Sequence, residues 1–296
     1  MVRLRDVTLR DGLQDEGPIE TDQKLSILEL LVAAGVSDLE LTSFTRPDRV
    51  PAMADADRLA QQALARYDSI TLWGLVLNRR GAERALAAGL DHLQFVVSVS
   101  EPHNLENAAR TVAASLTELQ DIIEVAAGRA SIEVVLATAF GCPYAGAVAE
   151  ADVVDVAGRV VELGIERLSL ADTIGTGVPT EVRSLVSAVR KAGTLAELGV
   201  HLHDTRGLAL ANALAAIEAG ADRLDATVGG LGGCPFAPGA SGNLALEDLV
   251  HALEAMGVPT GIDLDLLLEA SAQACAFVGQ APTSHVAVAG PRFSTA

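Results

Sequence analysis

Apolar and polar positions along the 296-residue chain keep two rhythms. Stretches spaced as one face of a helix, such as Leu25, Leu28, Leu31 and Val32 after a Thr21 or Asp22 cap, run into a glycine and then a short apolar run. Ala34-Gly35-Val36-Ser37-Asp38-Leu39-Glu40-Leu41 is echoed by Ala88-Gly89-Leu90-Asp91-His92-Leu93-Gln94-Phe95. Leu163-Gly164-Ile165-Glu166-Arg167-Leu168-Ser169-Leu170 and Ala219-Gly220-Ala221-Asp222-Arg223-Leu224-Asp225-Ala226 follow the same plan, and Leu198-Gly199-Val200-His201 reads as a fifth, shorter copy. In each, the glycine can take the left-handed conformation that closes a helix, and the run after it reads as a strand.

Strands are expected near residues 2–8, 38–43, 70–77, 92–99, 132–138, 166–171, 198–203 and 223–228, each followed by a segment able to form a helix. This alternation predicts an α/β fold, a (β/α)8 TIM barrel with extra C-terminal helices. A doubly wound open sheet is the alternative, although no G-x-G-x-x-G follows the first strand. The whole chain, 1–296, is read as a single barrel domain. It includes a glycine-rich loop at 229–243, helices near 244–256 and 263–279, and a tail at 281–296 expected to be mobile.

Barrels of this kind carry their chemistry at the C-terminal ends of the strands, and polar residues fall there. Arg10 and Asp11 follow the first strand, Glu40 lies in the second and Asp172 ends the sixth; His201, His203 and Asp204 end the seventh, and the loop after the eighth carries Cys234 and Asn243. Side chains alternate along a strand, so His201 and His203 share a face. Together with Asp11 and an amide oxygen of Asn243 they make a mixed nitrogen and oxygen set suited to Mg²⁺ or Mn²⁺; the absence of thiolates argues against structural zinc. Arg10 beside such a site would stabilise a developing oxyanion, and Glu40 would orient Arg10 or the metal site. Cys234, on a glycine hinge, is placed to deliver or remove a proton. Cys142 reads as structural, lining the site after the fifth strand, and Cys275 as core.

Composition narrows the partners. A net charge of −18 with 3% aromatic residues argues against nucleic acid. No stretch is long and apolar enough to span a bilayer, and three cysteines at unrelated spacings make no disulfide framework. With no charged-then-apolar leader at its start, the chain is expected in a reducing cytoplasm, as a homodimer or higher homo-oligomer.

The motifs, taken in order, resemble a family. Arg10-Asp11-Gly12-Leu13-Gln14-Asp15-Glu16 resembles the signature that opens 3-hydroxy-3-methylglutaryl-CoA lyases. Glu40-Leu41-Thr42-Ser43-Phe44, Gly141-Cys142-Pro143-Tyr144, Asp172-Thr173-Ile174-Gly175 and His201-Leu202-His203-Asp204-Thr205 follow in the family's order. The longest match runs from Gly230 to Ala245 and looks like the lyases' cysteine loop. The resemblance spans residues 3 to 288 or so. It implies a metal-dependent lyase of the DRE-TIM group that cleaves a 3-hydroxy-acyl-CoA to acetyl-CoA and an oxo acid. Carried over, Asp11, His201, His203 and Asn243 would bind the divalent cation, Arg10 would stabilise the enolate, Cys234 would be the acid/base, Glu40 would support the site, and His201 is the candidate base for the hydroxyl. Gln14, Thr173 and Asn107 would contact the acyl-CoA or hydroxy-acid substrate. Other aldol or Claisen chemistry on a substrate without CoA is the first alternative, and a non-catalytic metabolite-binding barrel the second.

Four positions depart from the lyase pattern. Leu9 stands where lyases usually carry Pro and makes the opening look like that of the related isopropylmalate and homocitrate synthases. Gly17 stands where Lys often follows, and Leu105 and Glu106 fall where some members carry lysines, which removes positive charge from near a CoA pyrophosphate.

Overall fold

Parallel strands covered on both faces read as nearly unbroken apolar runs, and the eight runs close into one parallel barrel in chain order. In the computed structural model, which describes residues 2–233 and 242–293, they are β1 Arg3–Asp6, β2 Asp38–Ser43, β3 Thr71–Val76, β4 His92–Ser98, β5 Ser131–Ala137, β6 Arg167–Asp172, β7 Glu197–Leu202 and β8 Arg223–Ala226. Residues Arg3 to Asp6 pair with Arg223 to Ala226, so the first strand closes onto the last and the open doubly wound sheet is ruled out. The outer layer holds α1 Thr21–Ala33, α2 Ala56–Arg66, α3 Arg79–Ala87, α4 Glu101–Ala108, α5 Val112–Ala126, α6 Glu150–Glu162, α7 Pro179–Ala192 and α8 Ala209–Glu218. Beyond β8 come α9 Leu246–Ala255, α10 Leu264–Val278 and a single turn, α11 His285–Ala289.

The helix signals work as read, with local corrections. Leu25, Leu28 and Leu31 of α1 are fully buried against the barrel. Its N-cap is Glu20 rather than Thr21 or Asp22, because the Glu20 backbone N–H donates to the Gln23 side chain (2.9 Å) while the Thr21 hydroxyl is drawn away to Asp55 (2.6 Å). Gly35, Gly89, Gly164 and Gly220 all take positive φ, between 86° and 99°, and close their helices. Gly199 does not belong with them. It sits inside β7, where a Cβ would come within 2.3 Å of the Arg223 guanidinium, so its missing side chain makes room for a buried arginine.

That arginine belongs to a charged floor inside the barrel, where apolar side chains usually stack. Arg5 and Arg223 are both fully buried. Arg5 donates to Asp38 (2.9 Å) and Glu133 (2.9 Å), and its guanidinium lies 4.2 Å from the centre of the Trp73 ring. Arg223 donates to Glu133 (3.0 Å), Glu197 (2.6 Å) and Asp225 (2.8 Å). Arg3 and Arg167 reach Glu197 from the rim.

The stretch from residue 281, read as a mobile tail, makes specific contacts within the described residues. Thr283 N–H donates to the Gly229 carbonyl (2.9 Å), and the Ser284 hydroxyl (2.9 Å) and Val286 N–H (2.8 Å) donate to Asp248. Among the described residues no helix is long and apolar enough to cross a membrane.

Candidate active site and metal centre

The first strand stops at Asp6, two residues earlier than the expected end at residue 8, because the Asp6 carboxylate accepts from both the backbone N–H (3.0 Å) and the hydroxyl (2.7 Å) of Thr8. Thr8 in turn accepts from Val228 N–H (2.9 Å). From there Thr8–Gly12 wind into one π-helical turn, with Gly12 N–H donating to the Val7 carbonyl. Such wide turns recur at functional sites because they re-aim consecutive side chains. Here the turn sends Arg10 and Asp11 over the barrel mouth. Arg10 donates through Nε to Glu40 of β2 and through Nη1 to Asp11, so its guanidinium is fixed by two carboxylates. Glu40 is thus beside Arg10.

The end of β7 brings both histidines to the same place. His201 Nε2 lies 3.7 Å and His203 Nε2 3.6 Å from Asp11 Oδ2, and one ligand atom from each of the three residues lies within 4.8 Å of the others. Asn243 joins them because the chain returning after the glycine-rich loop pairs with the end of β7: Asp204 N–H donates to the Gly242 carbonyl (2.9 Å) and Leu244 N–H to the Leu202 carbonyl (3.0 Å). The Asn243 amide donates to Asp11 Oδ2 (2.8 Å) and to the Leu231 carbonyl (3.0 Å). Gly232 permits this approach, with φ of 105° and a would-be Cβ only 2.5 Å from Asn243 Nδ2.

This donor set fits a divalent cation. Asn243 Oδ1 is buried with no hydrogen-bond donor among the described residues, a costly arrangement for an amide oxygen unless something else satisfies it. Two imidazoles, one carboxylate and that oxygen make the mixed set expected of a magnesium- or manganese-type site. Protonation of His203 and Asp11 is compatible. Burial drives His203 down to about 4, against the attraction of Asp11, so its ring is neutral near pH 7. Burial also acts on Asp11, but Arg10, the two imidazoles and Asn243 outweigh it and hold the carboxyl well below its usual range. For His201, burial is opposed and outweighed by Asp225 and Asp11, which draw its pKa up.

A cavity of about 530 Å³ opens over these groups, and Arg10, Asp11, Gln14, Glu40, Asn107, Thr173, His201 and His203 all lie on its wall. The structure therefore brings together every described residue expected to bind metal or substrate or to act on it, with Asn243 immediately behind the wall, but it leaves Cys142, expected to line the site, off it. Cys234 lies outside the described residues. Cys142 is not on the wall. It is buried after β5, its sulfur accepting from the Ser100 hydroxyl (2.9 Å) and from the N–H groups of Tyr144 (3.4 Å) and Ala145 (3.3 Å). Cys275 is core, directly under Gly229. Asp172, fully buried, accepts from Thr176 and Gly177 N–H (both 2.9 Å) and shapes the turn after β6.

Several cavity groups were not anticipated. Arg46 and Arg49, from the loop after β2, and Arg110, just past the end of α4, line the mouth beside Glu106 and supply positive charge that positions 105 and 106 lack. Asp15 also lines it, its carboxyl pushed up to about 6 by burial and by Asp11. Asp225 lies under His201, with Oδ2 3.6 Å from Nδ1. In the sequence it is one more polar residue in a predicted strand, and only the register His201↔Asp225 reveals it.

Known proteins place this geometry. A family model described as HMGL-like matches residues 1–273. The (R)-citramalyl-CoA lyase of Chloroflexus aurantiacus is 40% identical over 98% of this chain and 95% of its own length. The mitochondrial hydroxymethylglutaryl-CoA lyase of Homo sapiens is 39% identical over 97% of this chain and 89% of its own. Among solved structures, an HMG-CoA lyase from Acinetobacter baumannii in complex with coenzyme A and 3-methylmalate superposes with a TM-score of 0.95, at 39% identity over 100% of this chain and 97% of that one. The hydroxymethylglutaryl-CoA lyase of Pseudomonas aeruginosa gives 0.93, at 35% identity over 97% and 96%. With the fold, the convergent site and these likenesses in agreement, the chain belongs to the HMGL-like family and is a carbon–carbon lyase.

Proposed function

We propose that this protein cleaves 3-hydroxy-3-methylglutaryl-CoA, or a close 3-hydroxy-3-alkyl acyl-CoA, to acetyl-CoA and an oxo acid. The observation that carries the reading is the convergence of Arg10, Asp11, His201 and His203 on one wall of the cavity. In the reaction the C3 hydroxyl loses its proton, the C2–C3 bond breaks, C3 becomes a carbonyl, and the bonding pair passes to C2 as a thioester enolate. That enolate is then protonated at C2 to give acetyl-CoA.

Arg10, held by Glu40 and Asp11, presents a guanidinium whose geometry and charge are set before substrate arrives, which is what stabilises a developing oxyanion. Asp11, His201, His203 and Asn243 would hold a divalent cation, Mg²⁺ or Mn²⁺, which supplies Lewis acidity toward the substrate oxygens when bound. Cys234, on its glycine-rich loop, would hand the proton to C2. His201 serves as a ligand in this reading rather than as the hydroxyl base, since Nε2 faces Asp11 and Nδ1 faces Asp225, leaving neither nitrogen toward substrate. Gln14, Thr173 and Asn107 would contact the acyl chain and thioester from the wall.

A second reading is favoured by the citramalyl-CoA lyase relative: the shorter thioester, released as acetyl-CoA and pyruvate. One experiment separates them. The protein is incubated with each thioester and Mg²⁺ or Mn²⁺, with EDTA as control, and acetyl-CoA, acetoacetate and pyruvate are measured. Metal-dependent acetyl-CoA with acetoacetate supports the first substrate, and with pyruvate the second. No cleavage of either by protein shown to hold metal overturns both, and a free hydroxy acid cleaved as fast as its thioester would remove CoA from the reaction.

A further inference from the structure

The two histidines are anchored differently. His203 Nδ1 is buried with no hydrogen-bond partner among the described residues. His201 Nδ1 instead faces Asp225 Oδ2 at 3.6 Å, a gap that a small ring rotation brings into hydrogen-bonding range. The contact follows from the sheet: His201 and Asp225 are register partners on neighbouring parallel strands, so their side chains leave the wall side by side.

Asp225 is itself held from below. It is 2% exposed, and its other oxygen accepts from Arg223 Nε at 2.8 Å. Arg223, fully buried, is clamped in turn by Glu133 and Glu197. A rigid column of side chains thus climbs from the barrel floor through Arg223 and Asp225 to the ring of His201.

We propose that Asp225 is a positioning residue for His201, holding the ring with its proton on Nδ1 so that the bare Nε2 faces Asp11 and His203. An imidazole can bind a cation only through an unprotonated nitrogen, and the partner of the other nitrogen decides which one that is. A carboxylate with one oxygen committed to Arg223 can only accept from His201, and because Asp11 on the Nε2 side already accepts from Arg10 and Asn243, the free Asp225 oxygen favours the tautomer the site requires. The inference rests on the metal-site reading above, but the tautomer can be measured without metal.

The test is carried out on the full chain. In metal-free wild-type protein at alkaline pH, where the ring is neutral, long-range proton–nitrogen NMR reads the tautomer of each histidine. The expected result is a proton on Nδ1 of His201; a proton on Nε2 overturns the proposal without any variant. Asp225→Asn keeps the shape, but Arg223 Nε retains the side-chain oxygen and so turns the amide NH₂ toward His201. Nδ1 must then accept, and the proton moves to Nε2. The variant is expected to switch the His201 tautomer, leave that of His203 unchanged, and bind Mn²⁺ about 10- to 100-fold more weakly by calorimetry. If both the tautomer and Mn²⁺ affinity match wild type and only the melting temperature falls, Asp225 merely balances the charge of Arg223 and the proposal fails. Wild-type protein that binds no Mn²⁺ would end the metal-site reading instead, which the tautomer result does not depend on.

Discussion

Glu133 offers a direct probe of the charged barrel floor. It is fully buried, 2.9 Å from Arg5 and 3.0 Å from Arg223, and it also accepts from Gln94 (3.0 Å). Burial would raise its pKa, yet the guanidinium groups of Arg223 and Arg5 outweigh it and lower it below the usual carboxylate range. Glu133→Gln preserves volume and one acceptor but removes the charge, and it points an NH₂ group at an arginine. Removing one partner of a buried pair costs about 3–5 kcal/mol, because the ion left behind has lost both water and counter-charge. Arg5 keeps Asp38, and Arg223 keeps Glu197 and Asp225, which sets the expectation at the lower end, about 3–4 kcal/mol. At roughly 2–4 °C per kcal/mol for a large domain, the melting temperature should fall by about 6–16 °C. Urea unfolding should show a lower midpoint at unchanged slope. A loss below about 1 kcal/mol would refute the reasoning, since it would mean that water already solvates the floor.

Further expectations follow from the rim. Gly232→Ala places a Cβ 2.5 Å from Asn243 Nδ2 at a backbone φ of 105°, so overpacking and backbone strain should cost about 2–4 kcal/mol and weaken Mn²⁺ binding; calorimetric titration at wild-type affinity would contradict the placement of Asn243. Arg10→Met should lower kcat/KM by about 10²–10³-fold while Mn²⁺ affinity holds or tightens, because the donor lost to Asp11 is offset by removal of a repelling cation; Mn²⁺ binding weakened more than about 10-fold would sink that assignment. Glu247 accepts from Gly229 N–H at the root of the glycine-rich loop (2.8 Å), and burial pushes its carboxyl up to about 6 from an ordinary 4.5. The native state therefore binds more protons than the unfolded state between those values, so this group makes stability fall as pH rises through the window, by about 2 kcal/mol in all. In Glu247→Gln the group no longer titrates, so the variant's stability minus that of wild type should climb from pH 4.5 to 6 and then level, and a flat difference in urea unfolding across that range would disprove it.

The barrel was legible because its signals are local. A glycine that must turn left-handed at Gly35, Gly89, Gly164 and Gly220, next to a short apolar run, marks a helix end and a strand start whatever the rest of the chain does. Errors arose where a side-chain contact, local or distant, decided the geometry. Gly199 looks like the other four glycines until Arg223, 24 residues later, is seen to fill the space above it. The first strand stops early because Asp6 captures Thr8, a side-chain competition that an apolar run cannot register. The charges of the floor read as polar interruptions in strands, since nothing in a single strand says that Arg5 and Arg223 meet Glu133 across the barrel.

The site divides along the same line. Ligand-type residues are recognisable one at a time, since two histidines on one strand face and an aspartate after another strand are unusual wherever they occur. The groups that hold them are ordinary residue types made functional by register alone: Glu40 beside Arg10, Asp225 beneath His201, and Gly232 against Asn243. Such supports have a large effect on reactivity, because a guanidinium or imidazole fixed before substrate arrives has no reorganisation left to undergo. The charged floor extends that logic inward. Apolar side chains of similar volume would stabilise a barrel at least as well as paired ions, so stability alone does not account for Arg223 lying beneath Asp225. A column of ion pairs beneath His201 does what an apolar layer cannot: it fixes the direction of a hydrogen bond, and through it which imidazole nitrogen faces Asp11.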